Sequence, residues 1–505
     1  MGDDSKQGEA GVRFVKTAQR IGIMAGLVPA LLACVPDPVP VDTSVTAPEQ
    51  FEIQQTRATF ALDTQWPTLF ASSELTALIT EALQNNPDIA SAMARLNQAE
   101  ALTQQAQALL LPTLNGSVDA SRTRVPATQR RMTPPYNDSI SNSFSMGLSA
   151  SYALDVWGRY RSAYAAQLAG QDVNFYDQQS VQLVTAISVT TSYLTVLAAQ
   201  DRLMITQENI ATASRILNAI RGRLQVGTAS ALDVAEQESI LAALKATTPA
   251  LEQQIQQSRN QLAVLLGRPP EGFRLQNRSL KHLAVPQVKA GLPAELLTRR
   301  PDIAKAEASL RAASFNVQSA RAALLPNISL TATGGLESLV LKNILSPHAV
   351  FASGMSGLSE PLFDGGNLRA QLEGQTARQT ELIASYRKTV LTALADVENA
   401  LIAIQQSRKQ EILQQEAVAA SRRAYEISEE RLRAGTIDLV TLLAVQQNLF
   451  QAQENLIQSR LARLQAALSL IQALGGGFVL SDTAPARQQF LHDQSVGNRA
   501  KPAED

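Results

Sequence analysis

Side chains able to do chemistry are few and scattered in this chain. The three histidines, His282, His348 and His492, lie far apart. With the single cysteine, Cys34, they offer no cluster at metal-ligand spacing. No Walker-type glycine loop cradles a phosphate, and scattered Ser and Asp residues do not make a catalytic triad. The sequence therefore points to no enzyme, no metal and no cofactor. Two kinds of chemistry remain. One is a thiol placed for modification at Cys34. The other is a set of charged residues beside glycine turns. Arg223, Gly227 and Thr228 precede Asp233 and Glu236, while Arg431, Gly435 and Thr436 precede Asp438 and Val440. Asp155 with Gly158, and Asp364 with Gly365 and Gly366, mark two further turns, at which the aspartates can cap nearby amides.

Cys34 ends what reads as a secretory signal over residues 1–33: Arg13, Lys16 and Arg20, then an apolar run from Ile21 to Leu32. That run contains Pro29 and is too short to cross a hydrocarbon core of about 30 Å as a helix. An exported chain with one cysteine forms no internal disulfide. Leu31-Leu32-Ala33-Cys34 is similar to the lipobox of bacterial lipoproteins, which implies acylation, including palmitate, of a cysteine that becomes the new N-terminus. Val35, in place of an aspartate, favours an outer-membrane address. Removing residues 1–33 shifts the net charge from −1 to about −2, which gives no case for nucleic acid binding.

The elements that position these residues occur twice. Residues 85–112 and 299–326 align without a gap from Pro87 and Pro301, an offset of 214. A second register, offset by 208, joins Arg161 to Arg369, Gly227-Thr228 to Gly435-Thr436, and Leu266-Gly267 to Leu474-Gly475. Such a duplication assigns function to a pseudo-symmetric assembly and favours a conduit over an active site. No proline falls between Pro135 and Pro249 or between Pro361 and Pro485, and both stretches are rich in helix formers. Each half therefore predicts a long helix, a Gly-Thr turn and a second long helix: about 159–268 with its tip at 226–230, and about 367–473 with its tip at 434–438. At about 1.5 Å per residue the first helix of the second hairpin would reach about 100 Å. Leu442, Leu449 and Leu456, then Leu461, Leu464, Leu468 and Ile471, form a seam for coiled-coil-like packing.

Pro112 and Pro326 are each followed by period-two alternation. Strands are expected at about 113–124, 143–155, 327–337 and 349–362. The second alternates most clearly, with Phe144, Met146, Leu148, Ala150, Tyr152 and Leu154 on one face and mainly serines on the other. The fourth alternates poorly and rests on its place in the duplication. Strands of this length cross a bilayer when tilted, but an open edge in lipid leaves backbone groups unsatisfied. Four strands cannot close around a useful lumen, so copies of the chain must pool them. Residues 125–142, polar and proline-rich, form the first strand connection and 338–348 the second.

The chain resembles the outer-membrane factor family, in its lipoprotein branch of exit ducts for resistance-nodulation-division multidrug efflux systems. The resemblance spans about residues 60–478. It rests on Asn86-Pro87-Asp88 with Arg300-Pro301-Asp302, the Leu-Leu-Pro boundaries, Asp155-x-Trp157-Gly158-Arg159, Pro361 to Gly366, the paired Gly-Thr turns, and Leu474 to Phe478. It implies a mainly α protomer with a transmembrane β portion, and a homotrimer with a twelve-strand β-barrel above a periplasmic α-barrel. On this plan residues 34–85 are a lipidated N-terminal segment entering an equatorial band. Residues 86–268 and 299–477 are the two repeats, 269–298 an equatorial connector, and 478–505 a tail. The implied partners are outer-membrane lipid, a periplasmic membrane-fusion adaptor at the Gly-Thr tips, and an inner-membrane pump.

Relatives place an aspartate nine residues after the second tip glycine, where this chain has Ala444. Glu236 holds the equivalent place in the first repeat, so Asp233, Glu236, Asp438 and Val440 are the candidate periplasmic gate. The function expected is passive conduction of small molecules. A type I protein-secretion duct, or a structural coiled-coil lipoprotein without a pore, are the alternatives.

Overall fold

A computed structural model describes residues 64–125, 139–288, 291 and 293–478. The signal segment, Cys34, most of the 125–142 connection and the tail after Phe478 lie outside the described residues. The described helices are α1 (Ser73–Asn85), α2 (Pro87–Ala108), α3 (Arg159–Gln225), α4 (Ala231–Leu265), α5 (Pro301–Ala322), α6 (Asn367–Arg433) and α7 (Leu439–Ala473). The strands are β1 (Thr113–Val125), β2 (Ser139–Leu154), β3 (Asn327–Ser338) and β4 (Val350–Ser359). The described residues divide into two compact units, one holding 98–171 and 308–384 and the other holding 64–97, 172–307 and 385–478.

The duplication is visible in helix lengths: α2 and α5 have 22 residues each, α3 and α6 have 67, and α4 and α7 have 35. Pro249 sits inside α4, which continues through it. Proline removes one helical donor there. Buried Leu241 before it, and Leu251 and Ile255 after it, hold the helix in its packing on both sides of that gap.

In the first unit the four strands form an antiparallel meander in the order β1-β2-β3-β4. The register Leu114↔Ala150↔Ala332 and Val118↔Met146↔Leu336↔Val350 puts the apolar residues on one face. Leu114, Val118, Leu148, Val350 and Leu358 on that face are all exposed in the single chain. The opposite face carries Asn115, Ser149, Thr333 and Ser353, with a 2.6 Å bond between the Thr333 and Ser353 hydroxyls. β4 also places Phe351 and Met355 on this polar face, which accounts for its weak alternation. Phe351 lies against the close approach of Gly147 and Gly335.

Two strand boundaries differ from expectation. β2 begins at Ser139, because the ladder continues through polar residues to Ser139↔Val125. β4 ends at Ser359, before Pro361, which lacks the amide needed to continue a ladder. Both outer strands, β1 and β4, have one edge unpaired among the described residues.

The second unit has its own core, including Phe70, Leu75, Tyr193, Leu194, Leu197, Leu262, Leu266, Leu464, Ile471 and Leu474. Each such buried side chain contributes about 1.5–3 kcal/mol relative to exposure. Along the leucine seam, Leu442, Leu449, Leu464, Leu468 and Ile471 are buried, and Leu456 and Leu461 are half-buried. α3 has one window apolar enough for a membrane span, with 56% of it buried. Val189, Tyr193, Leu194 and Leu197 are part of the unit's packed core, so this is a core helix.

Two matched clamps close the repeats in this unit. Asn86 caps α2, its side-chain oxygen accepting from the Asp88 and Ile89 amides at 2.8 and 3.2 Å, and its Nδ2 donates to Leu265 O at 2.8 Å. Arg300 stands before α5 and donates to Ala473 O at 3.0 Å. Burial works to lower the Arg300 pKa, but Asp302 and Asp396 outweigh it and raise it. Beside each clamp a left-handed glycine meets backbone: Gly267 against the Asn85 carbonyl and Gly475 against the Arg299 carbonyl. The Tyr193 hydroxyl donates to Glu74 at 3.0 Å and receives Asn277 Nδ2 at 2.8 Å, tying α1 and the connector to α3. Burial pushes the Tyr193 pKa up.

Candidate functional site

The two Gly-Thr tips form the same hydrogen-bonded reversal. Gly227 has φ +77° and its amide donates to Leu224 O at 3.0 Å, while the Thr228 amide reaches Arg223 O at 2.8 Å. Gly435 has φ +74°, with bonds to Leu432 O at 3.1 Å and from the Thr436 amide to Arg431 O at 2.9 Å. This paired pattern is the Schellman motif, and glycine supplies the left-handed residue it needs. Each threonine hydroxyl adds a bond of 3.1 Å to the same arginine carbonyl. A Cβ on either glycine would meet open space, so their requirement is conformational.

The guanidiniums at the tips are exposed. Arg223 has no ion-pair partner among the described residues, and Arg431 Nε makes only a long contact of 3.5 Å to the Thr436 hydroxyl. Nearby, Arg221 bridges α3 to Glu238 of α4 at 2.6 Å, and Arg433 pairs with Glu429 at 2.5 Å. These exposed pairs contribute little stability. Val440 is 54% exposed, an apolar side chain close to the second turn.

The candidate gate carboxylates differ in their surroundings. Asp233 closes a capping box with Ser230, accepting the Ser230 amide at 2.7 Å while its own amide donates to the Ser230 hydroxyl at 3.1 Å. Asp438 caps α7 and accepts the Thr441 amide at 2.9 Å. Hydrogen bonding from Thr441, by side chain and amide, holds the Asp438 carboxyl below the ordinary aspartate value. Both aspartates thus have local structural duties. Glu236 is half-buried on α4 and makes no hydrogen bond or ion pair among the described residues. Its repeat counterpart, Ala444, is exposed.

The strand-to-helix turns are built by their aspartates. Asp155 accepts the Tyr160 and Arg161 amides at 3.0 and 2.8 Å, with Gly158 at φ +75° between them in the turn. Asp364 accepts the Gly366 and Leu368 amides at 2.9 and 2.8 Å, with Gly365 and Gly366 at φ +66° and +86°. Those amide bonds, that of Leu368 foremost, hold the Asp364 carboxyl below its ordinary value.

Some organising contacts escaped the sequence reading. Trp157 Nε1 donates to Pro326 O at 2.8 Å, joining motifs that the sequence presents separately. Glu411, nearly buried, lies between Arg460 at 3.0 Å and Arg463 at 2.6 Å. No group of three or more potential metal ligands occurs among the described residues.

This arrangement of duplicated hairpins and an open-edged sheet recurs in known proteins. Solved structures with the same fold include the outer-membrane channel OprN, with a TM-score of 0.81 at 26% identity, covering 88% of this chain and 99% of that one. The open state of the Neisseria gonorrhoeae MtrE outer membrane channel gives 0.79 at 27% identity, covering 89% and 99%. In sequence the chain is 39% identical over 450 residues to the pyoverdine export outer membrane protein OpmQ of Pseudomonas aeruginosa, covering 88% of this chain and 94% of that protein. It is 33% identical over 439 residues to the toluene efflux pump outer membrane protein TtgC of Pseudomonas putida, covering 85% and 88%. The family model for outer membrane efflux proteins matches residues 78–268 and 292–476, one segment per repeat. The chain belongs to the outer membrane efflux protein family.

Proposed function

We propose that the protein is the homotrimeric exit duct of a tripartite efflux system, anchored in the outer membrane through an acylated Cys34. The family's channels are not enzymes, and the chain conducts passively. The observation that carries the reading is the four-stranded sheet with an exposed apolar face and two open edges. In lipid such edges must be paired, and three copies supply twelve strands for one closed barrel. The Gly227-Thr228 and Gly435-Thr436 tips dock the periplasmic adaptor, which joins the duct to an inner-membrane pump of the resistance-nodulation-division type. Glu236 is the candidate gate carboxylate, because Asp233 and Asp438 are engaged as caps.

The exported molecule is a secreted metabolite of pyoverdine type. Supporting this are identities of 39% and 40% to two pyoverdine-export proteins, against 33% to the toluene-pump protein. Photoreactive residues at Thr228 and Thr436, crosslinked in cells and followed by mass spectrometry, test the duct. Capture of a membrane-fusion adaptor supports it, and the pump bound to that adaptor identifies the transporter class. Outer-membrane trimers that capture no adaptor overturn the tip assignment, and absence of trimers overturns the duct.

A further inference from the structure

Where the sheet of the first unit meets its helices, one repeat is fastened to the other. The turn after β2, in the first repeat, lies against the boundary between α5 and β3, in the second. Trp157 Nε1 donates to Pro326 O at 2.8 Å, and the Ser319 hydroxyl donates to Arg159 O at 3.0 Å. The reciprocal junction would set the turn after β4 against the boundary between α2 and β1, and both of its halves stand uncovered in the single chain. Pro361 to Gly366 are all exposed, Leu362 at 95% and Phe363 at 92%. Leu154, the counterpart of Leu362 at the 208 offset, is half-buried. Ala108, Leu109 and Pro112 are exposed, whereas Ala322, Ala323 and Pro326, their counterparts at the 214 offset, are buried or half-buried.

The two uncovered halves flank the two open edges of the sheet. One follows β4 and the other precedes β1. Each strand in the order β1-β2-β3-β4 is antiparallel to the next, so β4 and β1 run in opposite directions. A second copy whose β1 continues the sheet beyond β4 therefore brings its α2–β1 boundary to the end of β4 where Leu362 and Phe363 emerge.

We propose that the 361–366 turn of one copy seats on the α2–β1 boundary of the next, with Leu362 and Phe363 packed against Leu109 and Leu111. This clasp rests on the trimeric reading above and names the surface that closes it. Exposed apolar side chains on matching ends of a repeat mark an interaction site, and a contact between two different patches of one chain is head-to-tail and closes into a ring. The internal Trp157–Pro326 junction is its template, so contacts within a copy and between copies alternate around the assembly. Lipid fits this surface poorly, because exposed and polar Gln105 and Asn367, the counterparts of Ser319 and Arg159, flank it in the chain.

The test places the photoreactive analogue benzoylphenylalanine at position 363 of the full chain, irradiates isolated outer membranes and maps the products by mass spectrometry. Crosslinked dimers joined at residues 105–112 of a second copy are expected, and the reciprocal probe at Leu109 should capture residues 361–366. Phe363→Asp should raise the monomer fraction of the purified protein at least tenfold at equal concentration, while Phe363→Tyr should leave it unchanged. Trimers whose probes capture only lipid, their own chain or another surface of the neighbour overturn the clasp and leave the duct standing, as does an unchanged monomer fraction in Phe363→Asp. Absence of trimers in the unsubstituted protein overturns the duct itself. If Phe363→Asp does not fold, the two probe positions decide the matter.

Discussion

Four left-handed glycines at repeat-equivalent positions should respond to alanine in two distinct ways. Gly227 and Gly435 end the long helices with open space where a Cβ would go. Gly267 and Gly475, at φ +70° and +82°, would drive a Cβ into the carbonyls of Asn85 and Arg299. Alanine in the left-handed region costs roughly 1–2 kcal/mol. Overpacking adds about 1–3 kcal/mol where neighbouring backbone must shift. Gly227→Ala is therefore expected to cost about 1–2 kcal/mol and Gly267→Ala about 2–5 kcal/mol. At about 2–4 °C per kcal/mol for a unit of this size, the second variant should melt about 2–12 °C below the first. Calorimetry of both purified proteins in detergent, with the Gly435→Ala and Gly475→Ala pair as an internal replicate, makes the comparison. If Gly267→Ala and Gly227→Ala melt together, close backbone approach is not what requires glycine at the repeat ends.

The depressed Asp364 carboxyl gives a pH prediction. A folded-state pKa below the unfolded value contributes stability that is present above about pH 4 and lost as pH falls through the folded value. The protection factors of the Gly366 and Leu368 amides, exchange taken relative to the intrinsic rate at each pH, should fall only below that point, and Asp364→Asn should abolish this pH dependence; protection factors unchanged between pH 5 and pH 2.5 would count against the cap. Glu236→Gln and Asp233→Ala should separate conduction from capping. The first should reduce single-channel cation selectivity with little change in melting, and the second, which removes the acceptor for the Ser230 amide, should cost about 0.5–1.5 kcal/mol. Unchanged selectivity and conductance in Glu236→Gln would remove it from the gate.

Much of this fold was legible because its punctuation is local. Glycines at 227 and 435, prolines at 87 and 301 and alternation after Pro112 each state a backbone requirement that their neighbours do not alter. β4 was the weakest strand to read because Phe351 and Met355 share a face with serine and threonine partners, so no single-strand pattern reveals its sides. The capping duty of Asp233 is legible in Ser230-x-x-Asp233, a spacing that specifies a capping box whatever else its charge does. The Glu411 cluster was out of reach. Its arginines lie 49 and 52 residues away on another helix, and only tertiary packing brings them together.

The two repeat offsets have a common physical origin. α2 and α5 start 214 residues apart, from Pro87 to Pro301, whereas α3 and α6 start 208 apart, from Arg159 to Asn367. The six-residue difference must therefore fall between the end of α2 and the start of α3, the stretch that holds β1 and β2. An extra residue in a packed helix turns every following side chain by about 100°, so helix lengths cannot drift without breaking the seam. A strand pair tolerates a change in even steps, because its faces repeat every two residues. β1 and β2 have 13 and 16 residues against 12 and 10 for β3 and β4, while the helices agree to the residue. The clamps hold the two registers together: Asn86 to Leu265 and Arg300 to Ala473 each join an element of the 214 register to one of the 208 register. A side chain that reaches the last carbonyl of its hairpin fixes the helical frame, whatever length the intervening strands adopt.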